Sequence, residues 1–128
     1  MKFLLDTCTF LWLTLDPDKL PDTVRESFRN GDNDIFFSVV SIWEIAIKHR
    51  LGKVGLPDDP ERYLPLRIVS YGLKVVDIKT PHGLRAGALP LHHKDPFDRM
   101  LIAQAELEDL VVMTPDEAFA PYGVSTIW

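Results

Sequence analysis

Short apolar segments alternate with longer helical segments along the chain, and this alternation restricts the fold more than any other feature of the sequence. Five segments have the length and the branched or aromatic content of strands: Lys2–Leu5, Asp34–Ser38, Leu73–Val76, Leu110–Met113 and Val124–Thr126. Six segments between them have helical character: Thr9–Leu15, Pro21–Arg29, Ser41–Leu51, Pro60–Tyr71, Pro81–Ala88 and Pro96–Glu108. This order predicts an α/β domain with a central, mainly parallel sheet of about five strands flanked by helices.

Length and composition limit the possible function classes. The 128 residues fit one domain, and a net charge of −5 argues against indiscriminate binding of polyanions, so we expect any nucleic acid to be held at a local site. The single cysteine, Cys8, excludes an internal disulfide and a multi-cysteine metal knuckle. The apolar N-terminal stretch ends at Asp6 and no segment has the length of a membrane span. We therefore expect a cytoplasmic protein without a membrane partner.

Four acidic residues stand where ordinary surface charge is not expected. Asp6 directly follows the first predicted strand, and Asp116 comes three residues after Met113, at the carboxyl ends where open parallel sheets place their ligand crevices. Glu44 and Asp98 lie on the apolar faces of predicted helices. Because an isolated buried charge is strongly unfavourable, these four acids must be paired, protonated or bound to a cation.

Each acid also has a purely structural explanation. Ser41 and Glu44 have the spacing of a capping box, in which the carboxylate accepts a hydrogen bond from the Ser41 N–H, and taken alone this is the preferred interpretation of Glu44. Asp98 would complement the dipole of its helix, and Asp95 is explained as the N-cap before a proline. The two acids after strands would start turns. Considered singly, each acid is better explained by structure than by chemistry.

The combination of the four acids favours a metal site. Four carboxylates in one crevice cannot all ionise easily unless a cation is present. Ligation by oxygen alone selects Mg²⁺, with Mn²⁺ as a substitute, over zinc, and such sites bind phosphates and activate water. The adjacent histidines His92 and His93 are expected to point apart, so we assign no metal to them.

Four motifs in a fixed order carry a family resemblance. They are Leu4-Leu-Asp-Thr7, Ser41-Ile-Trp-Glu-Ile-Ala46, His93-Lys-Asp-Pro-Phe-Asp-Arg-Met-Leu-Ile-Ala-Gln-Ala105 and Thr114-Pro-Asp116. With the closing Tyr122-Gly-Val124 they resemble, from end to end of the chain, the PIN-domain ribonucleases, in particular the VapC-type toxins of toxin–antitoxin pairs. The resemblance implies a single PIN domain over residues 1–128, an Mg²⁺-dependent endoribonuclease, a homodimer, and inhibition by a cognate antitoxin.

The resemblance also implies roles for individual residues. The acidic set of the family matches Asp6, Glu44, Asp98 and Asp116, which form the candidate catalytic set. In the implied mechanism Asp6, Asp98 and Asp116 hold Mg²⁺ directly or through water, and Glu44 orients or deprotonates the attacking water. Hydrolysis of an RNA phosphodiester would leave a 5′-phosphate and a 3′-hydroxyl.

Four neighbouring residues are candidates for supporting contacts. The hydroxyls of Thr7 and Thr114 would bind the metal ligands or a phosphate, although hydroxyls beside turns are more often local caps. Asp95 is kept as a helix cap, with a contact to the site left open. Arg99 adjoins Asp98 and would pair with it or with phosphate.

One apolar helix and several rival functions complete the expectations. The first predicted helix is apolar almost all round, so we expect a covering surface, and dimerisation through this helix is one interpretation. A dehalogenase-like phosphatase needs an aspartate two residues after Asp6, where the chain has Cys8. A phospho-acceptor receiver domain needs its lysine after the last acid, whereas Lys79 precedes Asp98 and Asp116. A PIN-like nuclease of RNA processing, without a toxin role, remains open.

Overall fold

The computed structural model describes residues 1–128 and contains five strands, six α-helices and two short 3-10 segments. The strands are β1 (Lys2–Leu5), β2 (Asp34–Ser38), β3 (Lys74–Val76), β4 (Val111–Met113) and β5 (Thr126–Ile127). The helices are α1 (Thr7–Leu15), α2 (Asp22–Arg29), α3 (Val39–Arg50), α4 (Pro60–Ser70), α5 (Thr80–Ala88) and α6 (Pro96–Glu108). The 3-10 segments are Pro17–Lys19 and Glu117–Tyr122. None of the helices is both long enough and apolar enough to cross a membrane.

All five strands run parallel in the order β3-β2-β1-β4-β5. Phe3 in the central strand pairs with Ile35 on one side and with Val111 on the other. The chain builds outward from β1 to β3 and then returns to place β4 on the opposite side of β1. The carboxyl ends of β1 and β4 therefore form a topological switch point, where α/β sheets place their ligand crevices.

Both faces of the sheet are covered, because the apolar residues of the strands alternate between two cores. Phe3, Leu5 and Phe37 pack with helices α1 to α4 on one face. Leu4 and Val112 pack with α6 and the residues after α5 on the other face. The predicted α/β architecture with a five-stranded parallel sheet is confirmed.

Some element boundaries differ from the sequence-based expectation. Helix α1 begins at Thr7, two residues early, because the Asp6 carboxylate caps it. Helix α3 begins at Val39 rather than Ser41, because the Ser38 hydroxyl at the end of β2 accepts a hydrogen bond from Val40 N–H at 3.1 Å. The last strand is Thr126–Ile127 instead of Val124–Thr126. Its position is set by parallel pairing with the end of β4, not by its own apolar content.

Candidate metal centre

Asp6 lies where the central strand turns into α1. One carboxylate oxygen, Oδ1, accepts a hydrogen bond from Thr9 N–H at 2.7 Å, and the other, Oδ2, accepts one from the Thr114 hydroxyl. Only 5% of Asp6 is exposed. The strand, the helix cap and the threonine together fix the orientation of this carboxylate, and each oxygen keeps a lone pair for a further partner.

Thr114 links Asp6 to Asp116. While its hydroxyl donates to Asp6, its Oγ1 accepts the N–H of Asp116 at 3.0 Å. The Asp116 carboxylate caps the following 3-10 segment by accepting the N–H of Ala118 at 2.9 Å, and Asp116 itself is exposed. One buried threonine thus positions the acid of β1 relative to the acid that follows β4.

Glu44 reaches the same place from α3. Its Oε1 accepts a hydrogen bond from the Thr7 hydroxyl at 2.6 Å, and its Oε2 pairs with the Lys48 ammonium one turn further along the helix. The capping box expected between Ser41 and Glu44 is wrong, because the helix already begins at Val39 and the Ser41 hydroxyl contacts Thr7 at 2.9 Å. Glu44 is 5% exposed, so its carboxylate is held by tertiary contacts inside the protein.

Asp98 completes the set from the first turn of α6. Its Oδ2 lies 2.8 Å from Nε2 of His93. Asp95 caps the helix by accepting the N–H groups of Phe97 and Asp98 at 2.8 and 3.2 Å. One donor atom from each of His93, Asp95 and Asp98 lies within 4.8 Å of the others, which is close enough for a shared ion after small side-chain adjustments.

The four acids and Asp95 line one cleft with a volume of about 340 Å³. The other lining residues are Thr7, Cys8, Leu11, Trp12, Lys48, Val54 and Pro115. Five carboxylates therefore face one ammonium across this space. An excess of negative charge in a half-enclosed cleft is the arrangement that a cation stabilises.

The crowding perturbs the ionisation of the acids. Burial raises the pKa of Asp6, although the hydrogen bonds from Thr114 and Thr9 oppose the increase. Burial also raises the pKa of Asp98 to about 6; the hydrogen bond from His93 opposes this, and the neighbouring Asp95 adds to it. In the absence of a cation the cleft thus resists full ionisation.

The match to a family model decides the family. The model described as PIN domain matches residues 3–124 of this chain. The chain belongs to the PIN-domain family. This confirms the family predicted from the four motifs, and it argues against the phosphatase and the receiver domain.

Other comparisons agree with this PIN domain. A stretch of 69 residues is 33% identical to Ribonuclease VapC16 of Mycobacterium tuberculosis, covering 52% of this chain and 49% of that relative. The match thus spans about half the length of the curated relative. Among solved structures, DNA-bound VapBC from Salmonella typhimurium aligns at a TM-score of 0.72 with 24% identity, over 99% of this chain and 97% of that one. VapBC2 from Rickettsia felis, bound to a promoter fragment, aligns at 0.74 with 16% identity, over 100% and 99%. At these identities the structures establish the fold.

Arg99 does not have the role expected from the sequence. Its guanidinium donates to the carbonyl oxygens of Ala86, Leu89, Pro90 and His93 and to the Tyr122 hydroxyl, at 2.8 to 3.3 Å. Only 8% of Arg99 is exposed. The expected pairing with Asp98 or with phosphate is wrong, because the guanidinium of this buried arginine is occupied by carbonyl groups at the end of α5 and between α5 and α6.

Two basic residues near the PIN-domain cleft, His93 and Lys48, contact its acids directly, whereas the sequence suggested for them only contacts with RNA phosphates or a solvated basic edge. His92 and His93 do point apart, with the His92 ring against Tyr122 at 5.2 Å, but His93 nevertheless reaches Asp98. Lys48 lines the cleft through its pair with Glu44. The spacing of Glu44 and Lys48, four residues apart on one helix, was a usable signal for that contact. The position of His93 had no such signal, since a loop carries it.

The residues of the cleft fit a hard divalent cation. Asp6, Asp98 and Asp116 each keep oxygen lone pairs after their protein hydrogen bonds are counted. Carboxylate oxygens are the ligands that Mg²⁺ and Mn²⁺ prefer, and the single sulfur nearby, Cys8, is held as a neutral thiol because burial raises its pKa to about 11. The donor set therefore suits Mg²⁺ better than a thiolate-seeking metal.

Proposed function

We propose that this PIN domain is an Mg²⁺-dependent endoribonuclease and the toxin of a toxin–antitoxin pair. The observation that carries the proposal is the convergence of Asp6, Glu44, Asp98 and Asp116, from four separate parts of the chain, on one cleft with a large excess of negative charge. Three of these acids are held in place by hydrogen bonds from other parts of the chain: Asp6 by Thr114, Glu44 by Thr7 and Asp98 by His93. Ordinary surface carboxylates do not need such contacts.

In this proposal Asp6, Asp98 and Asp116 hold the cation, directly or through water, with Mn²⁺ as an effective substitute. When bound, the metal would offset the charge that develops on the scissile phosphate and lower the pKa of a water molecule. The chain supplies fixed carboxylates for this purpose. Thr114 sets the separation of Asp6 and Asp116, and His93 orients Asp98.

Glu44 has a different role because one of its oxygens is paired with the ammonium of Lys48, a cation that a metal ion at that oxygen would have to displace. Thr7 holds Oε1 and Lys48 holds Oε2, so the carboxylate faces the cleft in one defined orientation. Such a group is suited to orient the attacking water, and it can take up the proton of that water once the ammonium of Lys48 has moved away from Oε2. Attack at phosphorus with departure of the 3′-oxygen gives a 5′-phosphate and a 3′-hydroxyl. Asp95 contributes negative charge at the edge of the cleft in addition to capping α6.

The proposed partners are RNA, an antitoxin and a second copy of the chain. Structures of similar fold were solved as VapBC assemblies, which supports an antitoxin for this protein. Dimerisation through α1 remains a proposal. Part of the outer face of α1 is covered by the chain itself, because Trp12 packs against Trp128 with a ring separation of 5.5 Å, whereas Leu15 stays exposed.

A map of RNA 5′-phosphate ends across the transcriptome tests the function and names the substrate. We would compare brief expression of the wild type, Asp98→Asn, and the control Asp109→Asn. Asp109 ends the same helix in a left-handed conformation that asparagine also tolerates, far from the cleft. New discrete ends are expected for the wild type and the control, and none for Asp98→Asn.

Two results would contradict the proposal. Discrete ends that persist in Asp98→Asn would remove this residue from the metal set. If the folded wild-type protein, free of antitoxin, produced no new RNA 5′-phosphate ends, the proposed nuclease activity would be refuted. Ends that match maturation sites of stable RNAs, without growth arrest, would instead support an RNA-processing nuclease.

A further inference from the structure

Lys48 is the only basic residue that lines the metal cleft. It follows Glu44 by one turn of α3, and its ammonium pairs with Oε2 of that buried acid. The side chain of Lys48 is 39% exposed, whereas that of Glu44 is 6% exposed. A flexible, half-exposed side chain is thus anchored by its charged end to a fixed and buried carboxylate.

The surroundings of the ammonium are strongly negative. The hydrogen bond to Glu44 raises the pKa of Lys48, and the charges of Glu44, Asp95 and Asp98 raise it further, in opposition to partial burial. Three acids that approach the cleft from two helices therefore attract one cation. The Lys48 ammonium therefore partly neutralises the carboxylates that a divalent cation would otherwise neutralise.

We propose that Lys48 is a tethered counter-cation that competes with the divalent metal for the negative charge of the cleft and, once displaced, binds a phosphate of the RNA. The inference rests on the proposed function and extends it to a residue outside the acidic set. A metal ion held by Asp98 and the other two aspartates would lie close to the ammonium of Lys48, and because two cations repel each other, metal binding weakens the hold of Glu44 on Lys48. The lysine stem is flexible enough to move its ammonium without unpacking α3, and an ammonium is a good partner for phosphate.

Competition of this kind couples metal and substrate. A bound metal frees Lys48 for phosphate, and a bound phosphate holds Lys48 away from Glu44 and favours the metal. By linkage the two effects are equal in free energy, so RNA and metal bind cooperatively. A lysine with a purely structural role in α3 would produce no such coupling.

The test compares Lys48→Met with Lys53→Met in protein freed of metal and titrated with Mg²⁺ or Mn²⁺ in a calorimeter. Both changes remove one lysine charge, but Lys53 is exposed and does not line the cleft. We expect Lys48→Met to tighten metal binding by about three- to tenfold, as for loss of a half-buried competing charge, and Lys53→Met to change it by less than about twofold. In a Glu44→Gln background the effect of Lys48→Met should shrink, because the shared partner is gone.

Cleavage of a short RNA at saturating metal tests the second half. Lys48→Met should raise the KM for RNA several-fold while it increases the affinity for the metal. Damage to the fold would weaken the binding of both RNA and metal. Far-UV circular dichroism checks folding, with Lys48→Gln as a second variant. Metal affinity equal to that of Lys53→Met overturns the competition, and an unchanged KM overturns the phosphate contact. Failure of the wild type to bind either metal would overturn the proposed function together with this inference.

Discussion

Replacing Arg99 by methionine is expected to destabilise the protein strongly, although Arg99 touches neither the cleft nor any acid. The substitution keeps the apolar stem and removes the donors to Ala86, Leu89 and two other carbonyl groups. The Tyr122 hydroxyl still donates its single proton to the Pro90 carbonyl at 2.8 Å, and the carbonyl of His93 belongs to a half-buried residue that solvent can reach.

The magnitude follows from the carbonyls left without a donor. The residue four positions after Ala86 is Pro90, which has no N–H, and the N–H four positions after Leu89 belongs to His93 and already donates to Tyr122. Two buried carbonyls therefore become unsatisfied. At about 1–3 kcal/mol for each such group, the free energy of unfolding should fall by about 2–6 kcal/mol. This is a large part of the roughly 10 kcal/mol expected for a domain of this size.

Arg85 provides a matched control for this experiment. It also connects α5 with α6, through an ion pair with Glu106 at 2.9 Å, but the side chains of this pair are 41% and 38% exposed. Arg85→Met should cost less than about 1 kcal/mol, as exposed pairs do. Urea unfolding in EDTA, followed by tryptophan fluorescence, measures both variants without any contribution from metal. If Arg99→Met lies within about 1 kcal/mol of Arg85→Met, the reasoning from unsatisfied carbonyls is refuted.

Three further results are expected. Asp98→Asn should stabilise the metal-free protein at pH 7.5 by about 1–2 kcal/mol, allowing for partial exposure, because folding raises the pKa of Asp98 from 3.8 to about 6 and the protonated form favours the fold. That stability is present below pH 3.8 and lost as the pH rises through 6, so urea unfolding at pH 4 should show little difference between the two proteins. Thr114→Val removes the hydrogen bond that orients Asp6, so it should weaken Mg²⁺ binding about 10- to 100-fold in calorimetry. Unchanged binding would show that Thr114 does not position Asp6 for the metal. Leu15→Glu should yield a monomer in light scattering, and an intact dimer would rule out the exposed face of α1 as the interface.

The sequence was sufficient to predict the fold, because strand and helix segments differ clearly in length and composition. It was less reliable at boundaries where two signals compete. Ser41 and Glu44 have the spacing of a helix start, yet Ser38 caps α3 instead. Ser38 belongs to a strand, and only the folded chain reveals that the strand turns into the helix without a loop.

The candidate acids could be selected from motifs, but their supports could not. Arg99 was expected to pair with Asp98, but its guanidinium donates to the carbonyls of Ala86 and Leu89. These carbonyls need a donor because of the way the segment before α6 packs, and the sequence alone does not reveal that packing. His93 reaches Asp98 for the same reason, since Tyr122 and Arg99 fix its backbone. Arg99 contacts residues 6 to 13 positions before it and Tyr122 contacts His93 across 29 positions, so no helix or strand periodicity encodes these contacts.

The hydrogen bond from Thr114 to Asp6 joins residues 108 positions apart, so the cleft cannot form until almost the whole domain has been synthesised. Pairing of β4 with β1 closes the longest loop of the sheet core, and this closure has the largest entropic cost of any strand pairing in the sheet. During synthesis the residues of β1, β2 and β3 leave the ribosome before β4 and Asp116 do, so Asp6 is exposed to solvent before Asp116 and Thr114 can join it. Synthesis order thus keeps the cleft incomplete until the C-terminal part of the domain is free to fold.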